Sequence, residues 1–168
     1  MSTTTLSRLG LIVLVLAMWA VPTERAAAKA KPKPVVGATL ETIQLSSCPQ
    51  QELCITGTGT GHFEGIGDVT IVATGSGSGG MSFAYREDLV LTTLSGDKVL
   101  VHVQGYEVSQ EYAYYVYQPH LTYKVTGGTG SFSKAKGSGT ISGRSYSANG
   151  TPHATLIRVW RGTWRPHG

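Results

Sequence analysis

Residues 81–94 (MSFAYREDLVLTTL), Ser95-Gly96-Asp97 and residues 98–108 (KVLVHVQGYEV) read as a single unit. The first run is long and alternating, the middle is a tight turn, and the last run returns. β-Branched and aromatic residues fill both arms, and a short glycine-bearing turn joins them. The unit is therefore an antiparallel hairpin. No window after residue 30 sustains apolar residues at i, i+3 and i+4, so helices are not expected.

The same grammar extends outward. Upstream, Ala38–Ser46, Glu52–Gly61 and Gly67–Gly75 read as strands. A bend is expected at His62-Phe63-Glu64-Gly65 and a flexible loop at Ser76–Gly80. Downstream, Tyr114–Thr126, Gly137–Tyr146 and Pro152–Thr163 complete the set. Pro119 lacks an N–H to give, which predicts an edge or a bulge in its strand. Asn149-Gly150 is a two-residue hairpin signal, and Asn149-Gly150-Thr151 is also a glycosylation sequon. The 22 glycines cluster where turns fall. The expected fold is all-β, an antiparallel closed barrel of about eight strands, because closure removes exposed edges.

Two segments repeat. Gly59-Thr60-Gly61-His62-Phe63-Glu64-Gly65-Ile66-Gly67 parallels Gly128-Thr129-Gly130-Ser131-Phe132-Ser133-Lys134-Ala135-Lys136-Gly137, with one residue inserted. Each copy is Gly-Thr-Gly-x-Phe, a connector, then a new strand. Glycines that permit positive φ and a phenylalanine tucked under the bend would make two equivalent corners. The stretch Tyr123–Phe132, with Ala135-Lys136-Gly137-Ser138-Gly139 after it, resembles the Gly-Gly-Thr-Gly-x-Phe corner of the allene oxide cyclase and dirigent barrel superfamily. It is closer still to small bacterial exported proteins of unassigned function. The resemblance covers about half of the domain. It implies a calycin-like or dirigent-like eight-stranded barrel with a central cavity, and it carries over no active-site residue.

The N-terminus has the layout of a secretory signal over residues 1–28. Arg8 precedes an uncharged apolar run, Leu9–Ala20, and small residues at Ala26-Ala27-Ala28 offer a cleavage site. That run is short for a membrane span, which needs about 20 residues, so no stable membrane insertion is expected after cleavage. Residues 29–36 alternate Lys and Pro and should form an extended solvated tail. The barrel domain is then 37–168. Cys48 and Cys54 both lie in it, and export makes a small local disulfide between them plausible. The localisation expected is secreted or periplasmic.

The net charge of +4 hides two halves. Val35–Glu111 holds nine acids and two bases, whereas Tyr112 to the end holds seven bases and no acid. The expectation is that strands from the two halves are neighbours and largely neutralise each other. A basic surface patch is the alternative.

Catalytic signatures are lacking. His62, His102, His120, His153 and His167 show no metal-ligand spacing, and no cofactor is expected. Glu87-Asp88 point to opposite faces of a strand and cannot share a proton. Gly75-Ser76-Gly77-Ser78-Gly79 lacks the helix that a nucleophile elbow requires. The suggestive feature is aromatic: six tyrosines fall between Tyr106 and Tyr123. His102, Tyr106, Tyr115 and Tyr117 are the candidate ligand-binding residues, as one wall of a cavity for a small apolar or aromatic molecule. Cross-strand packing on the exterior is the alternative for these side chains. Trp160 and Trp164 with Arg158, Arg161 and Arg165 make a basic-aromatic C-terminus, read first as a closing strand.

The leading reading is a non-enzymatic exported barrel, binding a small ligand or serving a structural role. A cofactor-free isomerase or cyclase, as the resemblance allows, and a surface-interaction module using the basic half are the alternatives. No nucleic-acid partner is expected.

Overall fold

The computed structural model describes residues 31–49, 52–80, 82–110, 114–148 and 151–165. The signal segment, Tyr112 and the Asn149-Gly150 turn lie outside the described residues. Eight strands follow in order: β1 (Lys33–Ser47), β2 (Leu53–Phe63), β3 (Gly67–Gly79), β4 (Ser82–Thr93), β5 (Lys98–Ser109), β6 (Tyr114–Gly128), β7 (Lys136–Ala148) and β8 (His153–Arg165). Each pairs antiparallel with the next, and β1 pairs with β8, so the sheet is a closed up-and-down barrel. The fold is the one expected. The strands alternate an inward face with an outward face, as the period of two requires. On β1 the inward residues are Val35, Thr39, Glu41 and Ile43, and on β8 they are Ala154, Leu156, Arg158, Trp160 and Trp164.

Several local expectations change. Lys33–Val36, expected in the tail, belong to β1 and pair with Arg161–Trp164 of β8, where Val35 is buried. Ser76–Gly79, expected as a loop, are the end of β3 and pair with Phe83–Arg86. Pro119 sits inside β6 and not on an edge: the barrel has none. The β6–β7 pairing stops at Tyr117–Ser145 and resumes at Leu121–Ile141 in the same register, stepping over the proline. The two Gly-Thr-Gly-x-Phe copies are not equivalent. In the first, Gly59-Thr60-Gly61 is regular β2, and the positive φ falls later, at Gly65 and Gly67. In the second, Thr129 and Gly130 lie in the connection, which makes a turn of 3-10 helix over Gly130–Phe132. Both copies nevertheless end on a buried phenylalanine.

The two barrel ends differ. At the end where β1 starts and β8 stops, Phe63 packs on Trp160 and Trp164 with ring centroids 5.5 and 5.4 Å apart. Tyr123 lies 5.1 Å from Trp160. Inward glycines make this filling possible, since a Cβ at Gly37 would collide with the Phe63 ring. At the opposite end Cys48 and Cys54 bridge β1 to β2 at disulfide distance, with Cα atoms 5.3 Å apart, as expected for an oxidising compartment.

Candidate functional site

Between the aromatic plug and the open end, the lumen holds charge. Arg158 of β8 projects inward and is about 1% exposed. Its Nη1 donates to Glu41 Oε2 of β1 and to Glu87 Oε2 of β4, each at 2.9 Å. Its Nη2 donates to Tyr85 Oη, and Tyr85 Oη donates to Glu87 Oε2 at 2.6 Å. Thr39 Oγ1 donates to Glu41 Oε1 at 2.7 Å and accepts from Trp160 Nε1 at 3.2 Å. The network thus ties β1, β4 and β8 across the lumen and joins the plug. Gly59 of β2 leaves room for it: a Cβ there would stand 2.6 Å from Glu41 Cγ.

The network is not fully satisfied. Glu87 Oε1, Glu107 Oε1 and Arg158 Nε are buried without a hydrogen-bond partner. Buried polar groups almost always have partners, so such orphans call for a reason. Glu107 of β5 is the most exceptional. It is 6% exposed, and its Oε1 has no hydrogen-bond partner among the described residues. Burial pushes its carboxyl up to about 7, against the pull of Arg158 and with the repulsion of Glu87. Burial also raises Glu87, again opposed by Arg158 and reinforced by Glu41. The buried Tyr85 hydroxyl is raised well above its usual value, first by burial and only partly offset by Arg158. Arg158 itself stays charged: burial disfavours its cation, but Tyr85, Glu87, Glu41 and Glu107 outweigh that.

Above this floor the open end of the barrel is a cup of about 500 Å³. Ile43, Leu45, Leu53, Phe83 and Ala154 supply apolar walls, and Glu107, Tyr85 and Ser145 lie among the polar residues at its base. Tyr117 is on the wall. A concave, mostly apolar site with a few convergent polar groups is the usual form of a small-molecule pocket.

Of the four residues expected to bind ligand, only Tyr117 is placed in the cup. Tyr115's side chain lies outside the described residues. His102 and Tyr106 point outward, which corrects their expected position. His102 Nδ1 is 2.8 Å from Asp88 Oδ1, and Tyr106 stacks on His120 with centroids 5.1 Å apart. The reason is register: Val99, Val101 and Val103 are buried, so Glu107 follows them inward and the even-numbered residues of β5 go out. The same rule splits Glu87-Asp88 as expected and divides the basic-aromatic C-terminus. Trp160, Trp164 and Arg158 go in, while Arg161 and Arg165 go out. Among the described residues, the ion pairs that join the two charge halves lie in the lumen, through Glu41, Glu87 and Arg158. Outside, Lys124, Lys136, Arg144, Arg161 and Arg165 are exposed on β6–β8 and form no ion pair among the described residues.

Sequence reasoning missed Glu41, Tyr85, Glu107 and the inward turn of Arg158. Their signal was parity with neighbouring apolar residues on the same strand. Among the described residues, no group of three His, Cys, Asp or Glu side chains is placed to hold a metal ion. Comparison with family models, curated proteins and solved structures gives no match.

Proposed function

We propose that this chain is an exported barrel that binds a small, mainly apolar or aromatic molecule in its open-ended cup. The observation that carries the reading is the cup itself: aromatic rings plug one end of the lumen, while the other keeps about 500 Å³ behind mainly apolar walls. An apolar body entering it would release water from those walls, at about 25 cal/mol per Å² buried. The signal-like N-terminus and the Cys48–Cys54 pair support a place outside the cytoplasm. A thermal-shift panel of small aromatic and lipid-like compounds tests the reading on the full chain. Binders should raise the melting temperature, and Ala154→Trp, which fills the cup, should abolish their effect. A panel with no shift, or shifts that survive Ala154→Trp, would reject it.

A second reading, a cofactor-free isomerase or cyclase, is favoured by one specific feature. Glu107 lies at the cup's base with a pKa near 7, which suits a group that takes and returns a proton at neutral pH. Binders found by the panel and recovered chemically unchanged after long incubation would count for binding alone.

A further inference from the structure

We propose that the cup is selective for molecules carrying an ammonium head on an apolar or aromatic body, with Glu107 as the head's partner. This deepens the binding reading and depends on it. Three observations converge. Among the described residues the lumen holds three carboxyl groups, Glu41, Glu87 and Glu107, against one guanidinium. That guanidinium is engaged by Glu41, Glu87 and Tyr85, and its one unpartnered nitrogen, Nε, is buried in a residue that does not line the cup. Glu107, the one carboxyl that Arg158 does not hydrogen-bond, is the one that lines the cup, and one of its oxygens is buried without a partner.

The neighbours fit the same head. Phe83, Tyr85 and Tyr117 also line the cup, and aromatic faces attract a cation within about 6 Å of the ring centroid. Among the described residues no Lys or Arg lines the cup, so a carboxylate head would find neutral donors such as Gln110 and Ser145 but no cation to offset Glu107. An ammonium donates to a lone carboxyl oxygen and supplies the missing positive charge. A charge-assisted hydrogen bond of this kind is roughly twice as strong as a neutral one. An alcohol can donate too, but it leaves the charge imbalance in place.

The site's acidity gives the binding a pH signature. The charged and titratable groups that act on Glu107 are Tyr85 and Glu87 from β4 and Arg158 from β8, and Tyr117 from β6 lines the same cup. Glu107 carries its proton below about 7, and the ammonium must displace that proton to bind. Affinity for an amine should therefore rise as pH rises through this value, while affinity for the matching alcohol stays flat.

Isothermal titration of the full chain with tryptamine, tryptophol and indoleacetate tests this, because the three share one body and differ in the head. Tryptamine should bind about tenfold or more tighter than tryptophol at a pH of about 8, with indoleacetate weakest. Between about pH 6 and about pH 8 only the amine should tighten. Glu107→Gln should remove the amine's advantage and leave tryptophol within about twofold. The pH profile of the unaltered chain decides the matter if that variant fails to fold. Tryptophol binding as tightly as tryptamine, a flat amine profile, or indoleacetate binding tightest would overturn the ammonium assignment and leave the binding reading standing. No binding by any of the three would remove both.

Discussion

At one end of the barrel Phe63, Trp160, Trp164 and Tyr123 fill the lumen, and both indole N–H groups are satisfied, by Thr39 and Tyr123. At the other end the same eight strands surround open space above Glu107, and the layer between the two leaves three buried polar atoms unpartnered. The plug is what a stable small barrel needs, because apolar burial is the main force available to it. The charged floor is not needed for that. Buried ion pairs are often no more stabilising than apolar residues of similar volume, so their presence beside an open cup points to a use.

The largest expected effects set the two ends against each other. Phe63→Ala and Arg158→Met should each cost about 3–5 kcal/mol, the first through a cavity and the second through stranded carboxylates. Denaturant unfolding at two pH values separates them. The Phe63→Ala loss should be nearly independent of pH. The Arg158→Met loss should shrink in acid, as the abandoned carboxyls take up protons. Equal pH dependence in the two variants would erase the distinction between plug and floor.

Next in size is the pH dependence of the native barrel. Glu107 is raised above its ordinary value, so the folded state binds its proton more tightly than the unfolded chain does. Its contribution to stability is fully present below about pH 4.5 and is lost as pH rises through about 7, a change of about 3 kcal/mol at most. Glu87 acts with the same sign. Glu107→Gln should flatten this fall. A fall as steep in the variant as in the native chain would mean that Glu107 does not titrate in this range.

The rim of the cup offers a smaller effect. Cys48 and Cys54 close a short loop, so replacing both with Ser should lower stability by about 2 kcal/mol. Leu53, beside the bridge, lines the cup, and ligand affinity should weaken along with stability. Unchanged affinity would show that the rim is held by the β1–β2 ladder alone.

The barrel was legible because strand grammar depends on neighbours in sequence: alternation, turn glycines and the Ser95-Gly96-Asp97 reversal all act locally. The cup was not, for two physical reasons. Glu41, Glu87 and Arg158 come from β1, β4 and β8, and only closure brings them to within 2.9 Å. Charged residues at inward positions also look like surface residues until parity is traced through them. Val99, Val101 and Val103 fix Glu107 inward, and Leu156 and Trp160 do the same for Arg158. The tyrosine-rich stretch drew attention to the correct strands but to the wrong face of β5. The glycines were read chiefly as turn residues, yet Gly59 and Gly75, within the expected strands, lie on the inward side, where they leave room for Glu41 and the backbone of Glu87.

The smallest expected effect tests that parity directly. His102 and Tyr106 are outward on β5, and an exposed pair such as His102–Asp88 contributes little. His102→Ala and Tyr106→Ala should each change stability by no more than about 0.5 kcal/mol and leave ligand-induced thermal shifts intact. Tyr117→Ala, on the adjacent strand but inside the cup, should reduce those shifts. The contrast isolates side-chain direction, since all three positions lie on the adjacent strands β5 and β6. Loss of ligand response in His102→Ala with retention in Tyr117→Ala would place the binding surface on the outside of the barrel and return the cup to the status of an unfilled end.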